Sequence, residues 1–582
     1  MNYTRLAAAF LSFLFIPYLL FGQSNLNTDA QYVEQSPVLI QSATAKGINT
    51  PPNKKLRTMA EWEEIDALLI TWATQFNILS QILNYAQEEC KVIVVCADSN
   101  QVKNYLSGQG ITPYNVSFIE GPFNSIWSRD YAQWSAYTDD VDSLVLIDWI
   151  YNRNRPQDDL IPDLIGDYMN VPVYSMTQAP FDLVHTGGNF MVDGMGTGFS
   201  SKLVLDENDG GTFNITDKTS DQIDTLMKQF MGIERFIKME NLPYDEIHHI
   251  DMHMKLLDEE TILVGEYPDG VADGPQIEAN IAYIANNFTS AFGTPYRFVR
   301  IQMPPENGQY PDNFGDYRTY TNAVFVNNTI LIPTYEQQFD DPALDIWREA
   351  MPGYKIRGIN SNSIIPFSGA IHCITKAVGT KDPLLIVHQP IRDIQPAGIT
   401  FDIDAVVKHR SGILNATLYY TNDTNSFYTP ASMSLSDPTN DIWSASIPSQ
   451  NGGEEVYYYI SATSVSGKNQ NRPMPAPNAY WDFKVGATTA LNDITNSDFE
   501  IGNVYPNPAS RITVVPVNLK FSGMVSVDIY DVLGRKVHPV FDGHKTAGKQ
   551  EFIFDAEPLA SGNYYIKVSN SNNAAYTIMN VK

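Results

Sequence analysis

Residues 76–96 have the sequence FNILSQILNYAQEECKVIVVC, a helix-like stretch followed at once by a short strand rich in β-branched residues. The same order recurs four more times between residues 56 and 392, with predicted strand hairpins between successive units. The predicted helices span 76–89, 158–169, 220–231, 276–292 and 342–351, and the strands after them span 91–96, 171–176, 235–239, 296–301 and 355–359.

A repeat of about 60 to 80 residues indicates an array of supersecondary units. Five mixed units are too many for one open sheet of ordinary size. We therefore predict an α/β fold in which five ββαβ blades close into a propeller with the helices outside. One doubly wound sheet is the alternative.

The regions around this array differ in composition. Residues 395–486 show strand patterns alone and predict an immunoglobulin-like β-sandwich that acts as a spacer or, alternatively, binds a partner. Residues 487–501 form a predicted linker, and 502–582 a second, smaller β-sandwich. Residues 1–22 carry Arg5 and then an apolar run, which is typical of a secretory signal peptide.

Charge and hydropathy exclude two classes of partner. With 38 Lys and Arg against 66 Asp and Glu, the net charge is −28, whereas nucleic-acid binding needs a basic face. No apolar run of about 18 residues follows the signal segment, so we predict no membrane span after its removal. The three cysteines, Cys90, Cys96 and Cys373, are too few for a disulfide framework.

Candidate functional residues occur about once per repeat, namely Asp130, Gly188, His249, Asn322 and Cys373. In a ring of blades such positions converge on the axis, although each taken singly also has a structural explanation. Cys373 follows a glycine-containing loop, where a thiol can be a nucleophile or a small buried side chain. His249 and Asp251 are two apart, so in a strand they would share a face.

Three chemistries suit this set. His249 and Asp251 could ligate a metal, but no HExxH or CxxC accompanies them. A Cys–His pair could cleave peptides, but two carboxylates would repel the developing oxyanion. Asp130 and Asp251 suit a planar cation, and a guanidinium held between them would present its central carbon to Cys373 and favour the thiolate.

The segments IWSRD (126–130), HTGGNFMVDGMGT (185–197), HHID (248–251), TNAVFVNNTILIP (321–333) and GAIHCIT (369–375) resemble the bacterial peptidylarginine deiminase and agmatine deiminase family. That resemblance implies a five-bladed pentein propeller. It also implies metal-free, cofactor-free hydrolysis of a guanidinium to a ureido group and ammonia through a covalent thiouronium on Cys373. By the same resemblance, His249 is the acid and base, Asp130 and Asp251 bind the guanidinium, and Asn322 lies near the site.

Residues near these motifs are predicted to bind substrate. Trp127 can stack on the cation, and Gly188 and Asn189 stand in a glycine-containing loop that permits close approach to a ligand. Arg153 and Arg155 are two apart and could grip a carboxylate, as the arginine pair of the secreted family members does. A solvated pair that balances Asp158 and Asp159 is the alternative.

The last unit resembles a type IX secretion sorting domain, on the segments VYPNP (504–508), VDIYDVLGR (527–535) and LASGNYYIKV (559–568). The resemblance implies contact with the type IX machinery and a secreted or cell-surface protein. We therefore predict a deiminase of peptidyl or free arginine, with arginine at the C-terminus of peptides or proteins as the favoured substrate. Deimination of agmatine or another small guanidine is one alternative, although His248 stands where agmatine deiminases typically have Gly, and an inactive surface binding protein is another.

Overall fold

The computed structural model describes residues 47–213, 215–486, 499–531, 535–570 and 574–582. The predicted signal peptide and residues 487–498 of the predicted linker lie outside these ranges. No helix in the described ranges has the length and apolar character needed to cross a bilayer.

Between residues 56 and 379 the chain forms five separate sheets rather than one doubly wound sheet. In each sheet an antiparallel pair is extended by a parallel strand that is reached through a helix. The strands are Lys376–Gly379, Ile65–Thr71, Lys91–Cys96 and Val116–Glu120; Leu56–Thr58, Trp134–Thr138, Leu144–Tyr151, Val173–Met176 and Val184–His185; Met191–Val192, Thr197–Ser201 and Arg235–Met239; Met254–Leu256, Thr261–Glu266 and Arg297–Gln302; and Val324–Val326, Thr329–Thr334 and Lys355–Asn360.

The helices of the five units occupy the predicted places, and four of them have shifted ends. They are Phe76–Ala86, Ile161–Met169, Ser220–Met231, Gly274–Asn287 and Gln337–Ala350, and a further helix, Ser99–Gly108, lies in the first sheet's second crossover. Ser220–Met231 agrees with the prediction because Thr219 and Gln222 form a capping box and Gly232 ends the helix in the left-handed region.

Gln337–Ala350 begins earlier than the predicted start at Pro342. A proline inside a helix has no N–H for the carbonyl four residues back, here that of Gln338. Because Gln338 is exposed, water can donate to that carbonyl, and the first turn persists.

The first and last units of this region are joined by hydrogen bonds. Lys376–Gly379 pairs antiparallel with Ile65–Thr71, and Leu56–Thr58 pairs with Trp134–Thr138. Because of this pairing, Cys373, which lies just before Lys376–Gly379 at the end of the region, is close to the loops that precede the other sheets.

Two further β-rich regions follow. Leu385–His388, which the sequence analysis leaves in the catalytic region, pairs with Phe401–Lys408 of the next region, and its Ile386 packs in the core of that region. The two sheets there contain Leu385–His388, Phe401–Lys408, Ile442–Ile447 and Ser434–Asp437; and Ile394–Gln395, Trp481–Val485, Glu455–Ser464, Ile413–Thr421, Thr429–Ser432 and Asn469–Arg472.

The C-terminal region also has two sheets around one apolar core. Its first strand is Phe499–Ile501, which the sequence analysis assigns to the linker but which pairs with Ile512–Leu519. Phe499 is buried, so the strand belongs to this core. The other strands are Gly523–Asp531, Lys536–Lys545, Gly548–Asp555, Gly562–Ser569 and Ala574–Val581.

Candidate active site

The candidate residues occupy equivalent places in the five units. Each lies a few residues before the first antiparallel strand of a sheet, in a loop or a single helical turn. The strands that follow are Trp134–Thr138, Met191–Val192, Met254–Leu256, Val324–Val326 and Lys376–Gly379. Side chains far apart in sequence therefore share one site.

Cys373 lies in the turn before Lys376–Gly379, and Asn322 holds that turn. The Asn322 Oδ1 accepts hydrogen bonds from the backbone N–H groups of Ala370, His372 and Cys373, at 3.2, 3.0 and 3.4 Å. The Asn322 Nδ2 donates to Cys373 Sγ at 3.1 Å. One side chain thus both shapes the loop and contacts the sulfur.

Gly188 lies where the acidic residues and His249 meet. A Cβ added to Gly188 would lie 2.5 Å from His249 Nδ1, 3.1 Å from Asp130 Oδ1 and 3.2 Å from Asp251 Oδ2. The Gly188 N–H donates to Asp130 Oδ1 at 3.2 Å, and His249 Nδ1 lies 3.7 Å from the same oxygen. Only glycine leaves room for this arrangement.

Asp251 connects this group to the thiol, since Cys373 Sγ lies 3.5 Å from Asp251 Oδ2. The strand alternation expected for His249 and Asp251 is wrong, because Ile250–Met252 is a 3₁₀ turn. The turn nevertheless brings both side chains to Gly188.

Burial and the neighbouring carboxylates both change the pKa of the Cys373 thiol. Burial raises the pKa of the Cys373 thiol well above its ordinary value, and the charges of Asp251 and Asp130 raise it further, against the hydrogen bonds from Ala370 and Asn322. Without a nearby cation the sulfur is therefore protonated at neutral pH.

His249 and Asp251 keep polar atoms without hydrogen-bond partners among the described residues. These atoms are both ring nitrogens of His249 and Oδ1 of Asp251, and both side chains are buried. Burial lowers the pKa of His249, while Asp130 and Asp251 raise it. Buried polar atoms in this state suit a polar ligand that supplies donors and acceptors.

Trp127 and Asn189 border the group. A Cβ on Gly369 would lie 2.5 Å from the Trp127 ring and 3.1 Å from Cys373 Sγ, so the indole and the sulfur flank one glycine. Asn189 Oδ1 accepts from the Ser201 N–H at 2.9 Å, which leaves only its Nδ2 without a partner among the described residues.

Arg153 lies in a bend after Leu144–Tyr151 and Arg155 in the irregular segment that follows, so strand alternation does not orient them. Arg153 is exposed and donates to the Asn152 carbonyl at 3.0 Å, and Arg155 donates to the Tyr151 hydroxyl at 3.2 Å. Burial lowers the pKa of His249, and the positive charge of Arg153 lowers it further. Arg153 is therefore close enough to act on His249 electrostatically.

The acidic residues near Arg153 and Arg155 accept hydrogen bonds from other groups. Asp158 is buried and accepts from Asn124 and Ser125 backbone N–H groups and from the Ser125 hydroxyl. Burial raises the pKa of Glu207 to about 7, against a hydrogen bond from Asn152 and the charge of Arg153.

The sequence analysis missed a set of buried charges behind Asp251. His372 Nδ1 lies 2.7 Å from Asp251 Oδ2, and His372 Nε2 lies 2.7 Å from Glu61 Oε1. Glu61 also pairs with Arg129 Nη1 at 2.9 Å and with Lys255. The one available signal was that His372 directly precedes Cys373.

In the described ranges, no group of three or more His, Cys, Asp or Glu side chains is arranged to hold a metal ion.

Comparison with known proteins identifies the α/β region with the five sheets and the C-terminal β-rich region. Residues 57–378 match the family described as Porphyromonas-type peptidyl-arginine deiminase, and residues 503–581 match the secretion system C-terminal sorting domain. A Vibrio parahaemolyticus protein named "Putative agmatine deiminase" is 24% identical over 368 residues, which cover 56% of this chain and 98% of the relative. A Mycoplasma mycoides protein of the same name is 23% identical and covers 57% and 98%.

A solved structure supports the fold. The X-ray structure of a "putative agmatine deiminase" from structural genomics superposes with a TM-score of 0.51 at 20% identity, covering 58% of this chain and all of that one. The family match makes the chain a guanidino-group deiminase, a hydrolase that acts on the C–N bonds of amidines, and the solved structure indicates a pentein-type α/β fold. It belongs to the Porphyromonas-type peptidyl-arginine deiminase family, whose match spans more than half of its length. Its sorting domain indicates export by the type IX secretion machinery, to the cell surface or beyond.

Proposed function

We propose that this protein converts arginine at the C-terminus of peptides or proteins to citrulline, with release of ammonia. The observation that carries the proposal is the contact of the buried Cys373 thiol with Asp251, beside Asp130 and His249 around Gly188. Two buried anions beside a nucleophile suit a cationic electrophile and oppose an oxyanion.

The reaction follows from these positions. The proton of the Cys373 thiol passes to the neutral His249 as the thiolate attacks the guanidinium carbon to form a C–S bond. The C–N bond to the departing nitrogen then breaks as His249 donates that proton to it, and ammonia leaves. The neutral His249 then takes a proton from water, whose oxygen attacks the thiouronium carbon. The C–S bond then breaks, the O–H proton of the adduct passes to solvent, and the neutral ureido product is released. The sulfur leaves as thiolate and regains its proton from His249. Asp130 and Asp251 hold the guanidinium nitrogens throughout.

The substrate itself activates the nucleophile in this scheme. A bound guanidinium offsets the charges of Asp130 and Asp251, which otherwise raise the pKa of Cys373. The hydrogen bond from Asn322 Nδ2 then stabilises the thiolate. The indole of Trp127 lies beside the sulfur, where it can stack on the planar cation. Gly188, which lies beside Asp130, Asp251 and His249, and the next residue, Asn189, are proposed to contact the bound guanidinium.

Alkylation of Cys373 tests this activation. Because burial and the two acids raise the thiol pKa, labelling by neutral iodoacetamide should rise about tenfold per pH unit from pH 7 to 9 without a plateau. Cationic chloroacetamidine should label faster at pH 7 and depend less on pH, because it lowers that pKa while bound. Peptide mass spectrometry measures both rates.

A Cys373→Ser variant gives the background for this assay. Burial raises the pKa of Cys90 to about 12 and that of Cys96 to about 11, so both should label slowly. A plateau for iodoacetamide below pH 8 would contradict the raised thiol pKa.

The carboxylate of the substrate is assigned to Arg153 and Arg155. The exposed Arg153 carries a positive charge near His249, in an otherwise acidic protein, and Arg155 lies two residues further along. A C-terminal arginine has a carboxylate for such a pair, whereas agmatine has none. Agmatine is the second candidate because the curated relatives above are named for it.

The Arg153→Ala, Arg155→Ala double variant separates these substrates. It should lower kcat/KM for a peptide ending in arginine by about 10²-fold, since two charge-assisted contacts are lost. Activity on the same peptide with an amidated C-terminus should stay within about threefold. Citrulline release measures both peptides, and ammonia release measures agmatine.

An Arg357→Ala variant, which alters an exposed arginine of another unit, serves as the control. Faster turnover of agmatine than of the peptide by the unmodified enzyme would favour the second candidate.

We also propose that the five sheets are the five blades of a propeller, since all five share one topology and the first and last units are joined by Lys376–Gly379. Residues 395–486, with Leu385–His388, are proposed to form an immunoglobulin-like support, because two sheets there pack around one apolar core. An inactive surface binding protein would not need a glycine at 188 to bring two acids and an imidazole together.

A further inference from the structure

We infer that His372 is a positioning residue: it holds the Asp251 carboxylate against Cys373 while Glu61 fixes the orientation of its ring. This role rests on the proposed function, because it assigns to Asp251 the binding of a cationic substrate. His372 itself does not touch the reacting atoms.

Both ring nitrogens of His372 are engaged. Nδ1 lies 2.7 Å from Asp251 Oδ2 and Nε2 lies 2.7 Å from Glu61 Oε1. A contact this short needs a proton between its two atoms, so the chain of two carboxylates and one imidazole carries two protons. With both nitrogens bound, the ring can neither flip nor rotate without losing two strong hydrogen bonds.

The Glu61 end of this hydrogen-bonded series is held in place by two cationic side chains. Glu61 pairs with Arg129 at 2.9 Å and with Lys255, and both cations are about 1% exposed. Burial would raise the pKa of Glu61, but Arg129, His372 and Lys255 outweigh it and hold that pKa well below its ordinary value. An ionised, fully paired carboxylate is a rigid point from which to orient a buried imidazole.

At the Asp251 end of this hydrogen-bonded series, His372 is linked to the nucleophile through the polypeptide backbone. His372 and Cys373 are consecutive, and Asn322 Oδ1 accepts from the backbone N–H of both. The residue that holds the anion is therefore one peptide unit from the residue that carries the sulfur. This coupling sets the spacing of 3.5 Å between Asp251 Oδ2 and Cys373 Sγ, and small errors in such a spacing are costly in catalysis.

Two substitutions dissect the chain. The amide nitrogen of Asn takes about the place of Nδ1, and that of Gln about the place of Nε2. His372→Asn keeps a donor for Asp251 and gives up the contact with Glu61, whereas His372→Gln does the reverse. The two variants therefore differ mainly in which carboxylate is held.

The measurement is the ratio of Cys373 labelling rates by cationic chloroacetamidine and neutral iodoacetamide at one pH, beside kcat and KM on a peptide ending in arginine. His372→Gln should lower the ratio at least tenfold, because Asp251 no longer meets the amidinium, and His372→Asn should lower it less than threefold. Mere disorder of the 369–375 loop would slow or speed both reagents alike and leave the ratio unchanged. An unchanged ratio in His372→Gln, or equal losses in both variants, would overturn the inference.

The unmodified enzyme supplies a test that does not depend on either variant folding. In a crystal structure of its amidine adduct, Asp251 should contact the amidine nitrogens while keeping its contact with His372. An Asp251 side chain that swings away from His372 to reach the adduct would overturn the inference. Failure of the unmodified enzyme to react with chloroacetamidine or to release citrulline would overturn the proposed function, and this inference with it.

Discussion

Replacing Cys373 by Ser should lower turnover of an arginine peptide by about 10⁴-fold or more, the order expected when the nucleophile of a hydrolase is removed. The reason is that the other site groups bind and protonate but cannot form the thiouronium. Citrulline release gives the rate, and intact-mass measurement after chloroacetamidine treatment should find no adduct on Cys373→Ser.

Cys96→Ser is the matched control, because Cys96 is a buried thiol at the end of Lys91–Cys96 and has no place in the scheme. It should retain activity and labelling. Adduct formation at Cys90 or Cys96 in the Cys373→Ser variant, or activity within tenfold of the unmodified enzyme, would overturn the assignment of the nucleophile.

Removing a negative charge from the site should have the second largest effect. Asp130→Asn still accepts the N–H of Gly188 but loses the ion pair with the guanidinium. We expect kcat/KM to fall by about 10² to 10⁴-fold, mainly through positioning of the cation. Asp251→Asn should show a similar loss and also a lower Tm, because it breaks a buried charged contact with His372.

Steady-state kinetics and thermal melts separate these two effects. Asp345→Asn is the control, since that carboxylate is exposed and, within the described ranges, its ion-pair partner is Arg348 one helical turn away. The thiol offers an internal check: in Asp130→Asn the thiol pKa should fall, so iodoacetamide should label Cys373 faster at pH 7 than in the unmodified enzyme. Unchanged kcat/KM in both Asp variants would contradict a cation-binding site.

Much of the candidate site is predictable because its residues sit at equivalent places of a repeat. Asp130, Gly188, His249, Asn322 and Cys373 each precede the first strand of a unit, and units of one topology bring such positions together. Their conformations are less predictable. The strand expected at His249 and Asp251 is a 3₁₀ turn, and the segment containing Arg153 and Arg155 has no strand alternation. Short segments of this kind take their shape from tertiary hydrogen bonds.

The sequence by itself determined that the chain has five helix–strand units followed by two β-rich regions, because periodicity and turn residues are local properties. The second of these regions is identified as a sorting domain by the resemblance of its motifs. Only the tertiary structure brings Glu61 and His372, 311 residues apart, within hydrogen-bond distance of each other. It also places Asp251, the other hydrogen-bond partner of His372, beside Cys373. Glu61, His372 and Asp251 lie in turns of different parts of the chain, and the local sequence around Glu61 does not indicate which imidazole its carboxylate will contact.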